Sequence, residues 1–140
     1  MLILDTDHMS LLEWGSRGSG ALREHLADIA PDQVATTIIS YEEQMRGWMA
    51  YIGRAKSMTQ QLQAYQRLRR HLENYRQIPV LEFDEAAAGE FQQLRRARIR
   101  IGTMDLKIAA IVLSLSGTLL SRNLVDFRKV PGLKVEDWTT

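Results

Sequence analysis

A chain of 140 residues with 18 basic and 17 acidic side chains suits a single domain over residues 1–140, with one sheet covered by helices, and is too short for two good cores. A net charge of +1 gives no global pull toward a polyanion, so only the placement of charge along the chain is informative. The absence of cysteine removes disulfides, thiolate metal sites and cysteine nucleophiles together and fits a reducing cytoplasm, and the longest apolar run, Ile108 to Leu113, is far too short to cross a bilayer.

Met1-Leu2-Ile3-Leu4 leads straight into Asp5-Thr6-Asp7, the pattern of a short buried strand that presents acids at its carboxyl end. Ending a buried strand on like charges is costly unless something positive sits among them, and a divalent cation meets that need. Charges at positions 5 and 7, with no basic residues before them, do not make a secretory signal. Met9, Leu11 and Leu12 before Glu13 and Trp14 predict a short helix that Gly15, Gly18 and Gly20 end. A second helix is expected over Ala21–Ile29, then a turn at Pro31 and Asp32. The β-branched run Val34–Ile39 predicts a second buried strand, stopped by Ser40.

From Ser40 the apolar period lengthens from 2 to about 3.6. Tyr41, Met45, Trp48 and Ile52 mark one amphipathic helix; after Gly53, Met58, Leu62, Tyr65, Leu68, Leu72 and Tyr75 mark a longer one. Together they predict a helical hairpin whose apolar stripes suit core or a dimer surface. It also concentrates charge: Arg46, Arg54, Lys56, Arg67, Arg69, Arg70 and Arg76 stand against the single acid Glu73. Such arginines ordinarily form a solvated face, and backbone contacts to nucleic acid are the alternative.

A third strand is expected over Pro79–Phe83, with Asp84 as N-cap of a helix over Ala86–Arg98 that turns Ala87, Phe91 and Leu94 inward. Arg95, Arg96, Arg98 and Arg100 close it, offsetting the helix dipole or offering phosphate contacts. Gly102 and Thr103 form a turn and N-cap for a helix from Met104 to about Ser116, apolar nearly all round and therefore buried on most sides. Gly117 ends it. A fourth strand at Thr118–Leu120, a turn over Ser121–Phe127 and a last strand at Leu133–Val135 precede Trp138.

Strands alternating with helices predict a three-layer α/β/α fold with a mostly parallel central sheet. Ligands of such sheets sit beyond the carboxyl ends of the strands, where Asp5, Glu43 and Asp126 follow strands one, two and four and Asp105 starts a buried helix. Three or four acids gathered there without cysteine or histidine suit a hard cation, Mg²⁺ or Mn²⁺, and phosphodiester hydrolysis is the reaction class such an ion serves. Each acid also has a structural role open to it. Asp7 is favoured as N-cap of the first helix. Ser40-Tyr41-Glu42-Glu43 reads equally as a capping box with Glu43 reaching back to Ser40. Asp105 suits a first helical turn, and Asp126 could cap the turn at Phe127. His8, His25 and His71 lack ligand spacing and read as surface or packing residues. Glu42 and Lys107 are expected to point away from the acids.

Leu4-Asp5-Thr6-Asp7, Ser40-Tyr41-Glu42-Glu43-Gln44 with Gly47, Gly102-Thr103-Met104-Asp105-Leu106-Lys107-Ile108-Ala109-Ala110, Ser121-Arg122-Asn123-Leu124-Val125-Asp126-Phe127 and Val130 to Trp138, in that order and spacing, resemble PIN-domain ribonucleases of the VapC toxin type over essentially the whole chain. The resemblance implies a Mg²⁺- or Mn²⁺-dependent endoribonuclease, often directed at tRNA or other structured RNA, working in the cytoplasm as a homodimer and silenced by a VapB-type antitoxin. It implies metal-binding roles for Asp5 and Asp105, with Glu43 and Asp126 completing the catalytic acids, Thr6 as the hydroxyl beside the first acid and Asn123 as a positioning residue. Asp7 and Ser121 depart from the usual Asn and Thr. Two other readings use the same residues: a PIN-like module that binds RNA or protein without cutting, and a haloacid-dehalogenase-like phosphatase with Asp5 as covalent nucleophile and Asp7 as acid.

Overall fold

The computed structural model describes residues 1–15 and 18–140. Five short parallel strands, β1 (Leu2–Leu4), β2 (Val34–Thr37), β3 (Val80–Leu81), β4 (Thr118–Leu120) and β5 (Lys134–Glu136), form one sheet in the order β3-β2-β1-β4-β5. Around it lie α1 (Thr6–Trp14), α2 (Ser19–Leu26), α3 (Ile38–Gly53), α4 (Met58–Arg76), α5 (Glu85–Arg96), α6 (Thr103–Ser114) and the single turn α7 (Leu124–Phe127).

Alternation along the central strands sets up the layers. Ile3 pairs in register with Leu119, and Leu4 with Leu120. Successive strand side chains point to opposite faces. Ile3 and Leu119 accordingly enter one core with Ile108, Ile111 and Phe127, whereas Leu4 and Leu120 enter the other with Met9, Leu22 and Tyr75. The first core is built on α6, whose Leu106, Ile108, Ala109, Ala110, Ile111 and Val112 are all buried. Complete burial of Ile108 and of Ile111 contributes roughly 1.5–3 kcal/mol apiece.

Several element ends differ from expectation. Helix α1 begins at Thr6 because Asp5, not Asp7, caps it, and it ends where Gly15 takes φ 64°, a left-handed conformation free of Cβ strain in glycine. Helix α2 covers Ser19–Leu26, ahead of the expected Ala21–Ile29. Strand β2 stops at Thr37, whose side chain accepts from the Ser40 amide, so Ile38 and Ile39 form the first turn of α3. Strand β3 is only Val80–Leu81, α5 ends at Arg96, α6 spans Thr103–Ser114 with Gly102 at its N-cap position, and β5 is shifted to Lys134–Glu136. Asp84 caps α5 as expected, accepting from the Ala87 amide at 2.9 Å.

The hairpin of α3 and α4 exposes much of its apolar stripe. Met49, Met58, Leu62, Tyr65 and Leu72 are exposed, while Ala64, His71 and Tyr75 face inward.

Candidate functional site

The chain runs from β1 outward through β2 to β3, then returns to place β4 on the other side of β1. A parallel sheet that reverses direction in this way opens a crevice at the carboxyl ends of the two strands beside the reversal. Asp5 follows β1 there and Ser121 follows β4. The Ser121 hydroxyl donates to Asp5 Oδ2 at 2.7 Å, and the Thr6 amide donates to Oδ1 at 2.8 Å. Asp5 is 5% exposed. Burial pushes its carboxyl from 3.8 up to about 7, with the charges of Asp7 and Asp105 adding to the rise against the two hydrogen bonds.

Glu43 comes to the same edge from the first turns of α3. Because Thr37 is the cap, Ser40 is inside the helix, and the capping box that the sequence offered as an equal alternative does not form. Glu43 Oε1 instead accepts from the Thr6 hydroxyl at 3.0 Å. Burial and the charges of Asp105 and Glu42 hold its carboxyl above the ordinary range, opposed by the Thr6 hydrogen bond and Arg46. Glu42 turns away, pairing with Arg46 at 2.5 Å.

Asp105 lies in the first turn of α6, where the helix dipole favours an acid. Its carboxyl is raised by burial first, then by Asp126 and Asp7. The Asn123 amide spans two acids, donating to Asp126 Oδ2 at 3.1 Å and Asp105 Oδ2 at 3.5 Å. Asn123, not Asp126, caps α7. Asp126 is the outermost acid of the set, paired with Lys129 at 3.3 Å, and its hydrogen bonds to Asn123 and Lys129 hold its carboxyl below the usual range.

Asp7 faces β4 from the first turn of α1, accepting from the Arg122 amide at 3.0 Å. Its other oxygen accepts from His8 Nδ1 at 2.6 Å, while His8 Nε2 accepts from the Trp138 amide at 3.3 Å. His8 is fully buried and carries a hydrogen-bond relay from the C-terminal segment to the acid edge. His71 is buried as well; His25 is exposed beside Trp138, and Lys107 lies over Phe83 and Phe91.

Sequence spacing also missed Gln44 and Tyr75. Gln44 Nε2 donates to Ser10 Oγ at 2.7 Å and the Thr6 carbonyl at 3.5 Å, and the Tyr75 hydroxyl donates to Gln44 Oε1 at 2.5 Å. Tyr75 thereby fixes the residue after Glu43 from a helix that read only as an apolar stripe.

The donors gathered here are hard oxygens, from Asp5, Asp105, Glu43 and Thr6, which suits Mg²⁺ or Mn²⁺ over softer ions. Among the described residues, no three acidic or histidine side chains close into a ready-made cage. The three acids expected to grip one ion, Asp5, Glu43 and Asp105, therefore do not form such a group among the described residues; Glu43 is bonded to Thr6 and Asp105 to Asn123. Mg²⁺ needs no three-acid cage, since it keeps several waters and uses one or two carboxylates.

A PIN domain family model matches residues 2–133. Comparison with curated proteins finds no match. Among solved structures the chain is similar to VapBC-1 from nontypeable Haemophilus influenzae, at 22% identity and a TM-score of 0.77, covering 99% of this chain and 98% of that one. It is similar to DNA-bound VapBC from Salmonella typhimurium, at 22% identity and a TM-score of 0.77, covering 98% and 97%. A chain of a toxin-antitoxin complex from Klebsiella pneumoniae matches at 24% identity and a TM-score of 0.63, covering 95% of each.

Proposed function

Because this chain belongs to the PIN domain family, we propose that it is a metal-dependent endoribonuclease of the VapC toxin type, with Asp5 and Asp105 holding Mg²⁺ or Mn²⁺. The observation that most supports the reading is Asp5 itself, an acid buried at the reversal of the sheet whose carboxyl is driven up to about 7 by burial and by neighbouring acids. That is the electrostatic state a bound cation relieves. Such an ion, when bound, would orient a water and lower its pKa, polarise a phosphodiester and stabilise the leaving oxygen.

The protein's own part is positioning and proton handling. Ser121 and the Thr6 amide fix both oxygens of Asp5. Asn123 orients Asp105, and Asp126 accepts from the same amide nitrogen. Glu43, set by the Thr6 hydroxyl and with a raised affinity for protons, is placed to accept one during attack on phosphorus.

Two partners follow from the same reading. One solved neighbour is a toxin-antitoxin complex; we assign this chain a VapB-type antitoxin whose arginine pairs with the acids and blocks the site. We assign the exposed apolar face of α3 and α4 to a homodimer. The direct test incubates purified protein with total RNA, including tRNA, in Mn²⁺ or in excess chelator. Cleavage in the cation alone is expected. Equal cleavage in chelator would overturn the metal role, and RNA retained but uncut in Mn²⁺ would favour a binding module.

A further inference from the structure

Away from the acids, a second set of side chains suits nucleic acid for a different reason. Between the end of α1 and the facing sides of α3 and α4 lies an open cleft of about 420 Å³, whose lining includes Trp14, Trp48, Tyr51, Arg54 and Arg67. The Trp14 and Trp48 rings stand 5.7 Å apart at 41°, and Tyr51 meets Trp48 edge-on at 5.7 Å. Guanidinium groups cover this cluster: Arg67 lies 5.8 Å from Trp14 and 5.3 Å from Tyr51, and Arg70 lies 4.9 Å from Trp14. Trp14 is 38% exposed. Arg54, Arg67 and Arg70 are exposed and, among the described residues, make no ion pair, whereas Arg46, Arg69 and Arg76 do. The acid in the cleft wall, Glu13, is buried and turned to His71 at 3.2 Å, so the charge offered to solvent is positive.

Flat rings beside unpaired guanidinium groups provide stacking surface and phosphate contacts together, the combination that binds single strands without reading sequence. A partner helix seeks aliphatic side chains in a groove, and those lie on the separate face of α3 and α4 around Met45, Met49 and Leu72. One residue links the cleft to the surroundings of the acid edge. Gln44 lines it, follows Glu43 in sequence, and donates to Ser10 and to the Thr6 carbonyl.

We propose that this cleft is a stacking subsite for an unpaired base of single-stranded RNA, with Trp14 and Trp48 taking the base and Arg54 and Arg67 the flanking phosphates. The identity of the ligand rests on the ribonuclease reading, yet the test is one of binding and needs no cleavage. Wild-type protein without divalent cation is titrated with an uncleavable twelve-nucleotide 2′-O-methyl oligoadenylate and with an abasic strand of the same length, reading tryptophan fluorescence. The adenylate is expected to quench emission and to bind about tenfold more tightly than the abasic strand. Trp14→Leu and Arg67→Gln should each weaken adenylate binding severalfold, Trp48→Leu should erase the preference over the abasic strand, and Trp48→Phe should keep it; circular dichroism verifies each fold.

Equal affinity for both strands in the wild type, or an undiminished preference in folded Trp14→Leu and Trp48→Leu, overturns the subsite. So does a cleft whose variants lose only antitoxin binding. A preference that persists in a protein unable to cut RNA supports the subsite while removing the nuclease reading, so the two failures are separable.

Discussion

The Thr6 hydroxyl donates to Glu43 Oε1 at 3.0 Å, joining the residue after the first acid to a helix that begins more than thirty positions later. This bond substitutes for the local cap that Glu43 does not make. Thr6→Val removes it while keeping the branched shape. RNA cleavage is expected to fall about 10-fold or more, in line with the loss of a side chain that orients an acid at the proposed metal site. Thr6→Ser should restore most of the rate. Unchanged cleavage by Thr6→Val would remove Glu43's placement from the account.

Asp5 makes stability depend on pH with a defined sign. Its ordinary value is 3.8 and its folded value about 7. A raised folded pKa means that its contribution to stability is complete below about pH 4 and is lost as pH rises through 7. In chelator, Asp5→Asn should therefore melt above the wild type at pH 8, by about 5 °C, with the gap closing toward pH 4. Millimolar Mn²⁺ should raise the wild-type melting temperature at pH 8 and leave Asp5→Asn unmoved. Wild type and variant melting alike at pH 8 would contradict the buried charge.

Glu13 and His71 form a buried pair between α1 and α4, Oε1 to Nδ1 at 3.2 Å, and His71 Nε2 is buried with no hydrogen-bond partner among the described residues. Removing one member leaves the other without its partner. Glu13→Ala is expected to cost about 3 kcal/mol in urea unfolding, and Glu13→Leu combined with His71→Phe should cost less than Glu13→Ala alone. A larger loss in the double variant would show that the pair matters for shape and not for polarity.

The apolar face of α3 and α4 carries Met49, Met58, Leu62, Tyr65 and Leu72, all exposed in one chain. Charging it should prevent self-association while sparing the fold. Sedimentation is expected to give a dimer for the wild type and a monomer for Leu62→Glu with Leu72→Glu. A monomeric wild type would leave that face to the antitoxin.

How far the sequence disclosed this arrangement depended on the range of the interaction concerned. The strand before Asp5 and the buried helix α6 were legible because apolar runs of those lengths have few other solutions, and the layers followed from their alternation. The start of α3 was misread because Ile38 and Ile39 favour strands by type, while the capping bond of Thr37 decides otherwise. Asp5 takes the cap expected of Asp7 for a similar reason: either acid suits an N-cap, and only the end of β1 selects between them. Tyr75 holding Gln44, Asn123 spanning Asp105 and Asp126, and His8 linking Asp7 to Trp138 depend on segments far apart or on a side chain's direction. Periodicity carries no signal for such contacts.

Uptake of Mn²⁺ tests the acid edge most directly, because it requires neither the right RNA nor the right partner. The free ion is followed by its paramagnetic resonance signal as protein is added. Wild-type protein is expected to remove Mn²⁺ from solution, with Asp5→Asn and Asp105→Asn each abolishing most of that uptake while remaining folded. If wild type and Asp5→Asn leave the same free Mn²⁺ at every protein concentration, these carboxylates do not hold the ion and the proposed hydrolysis loses its basis.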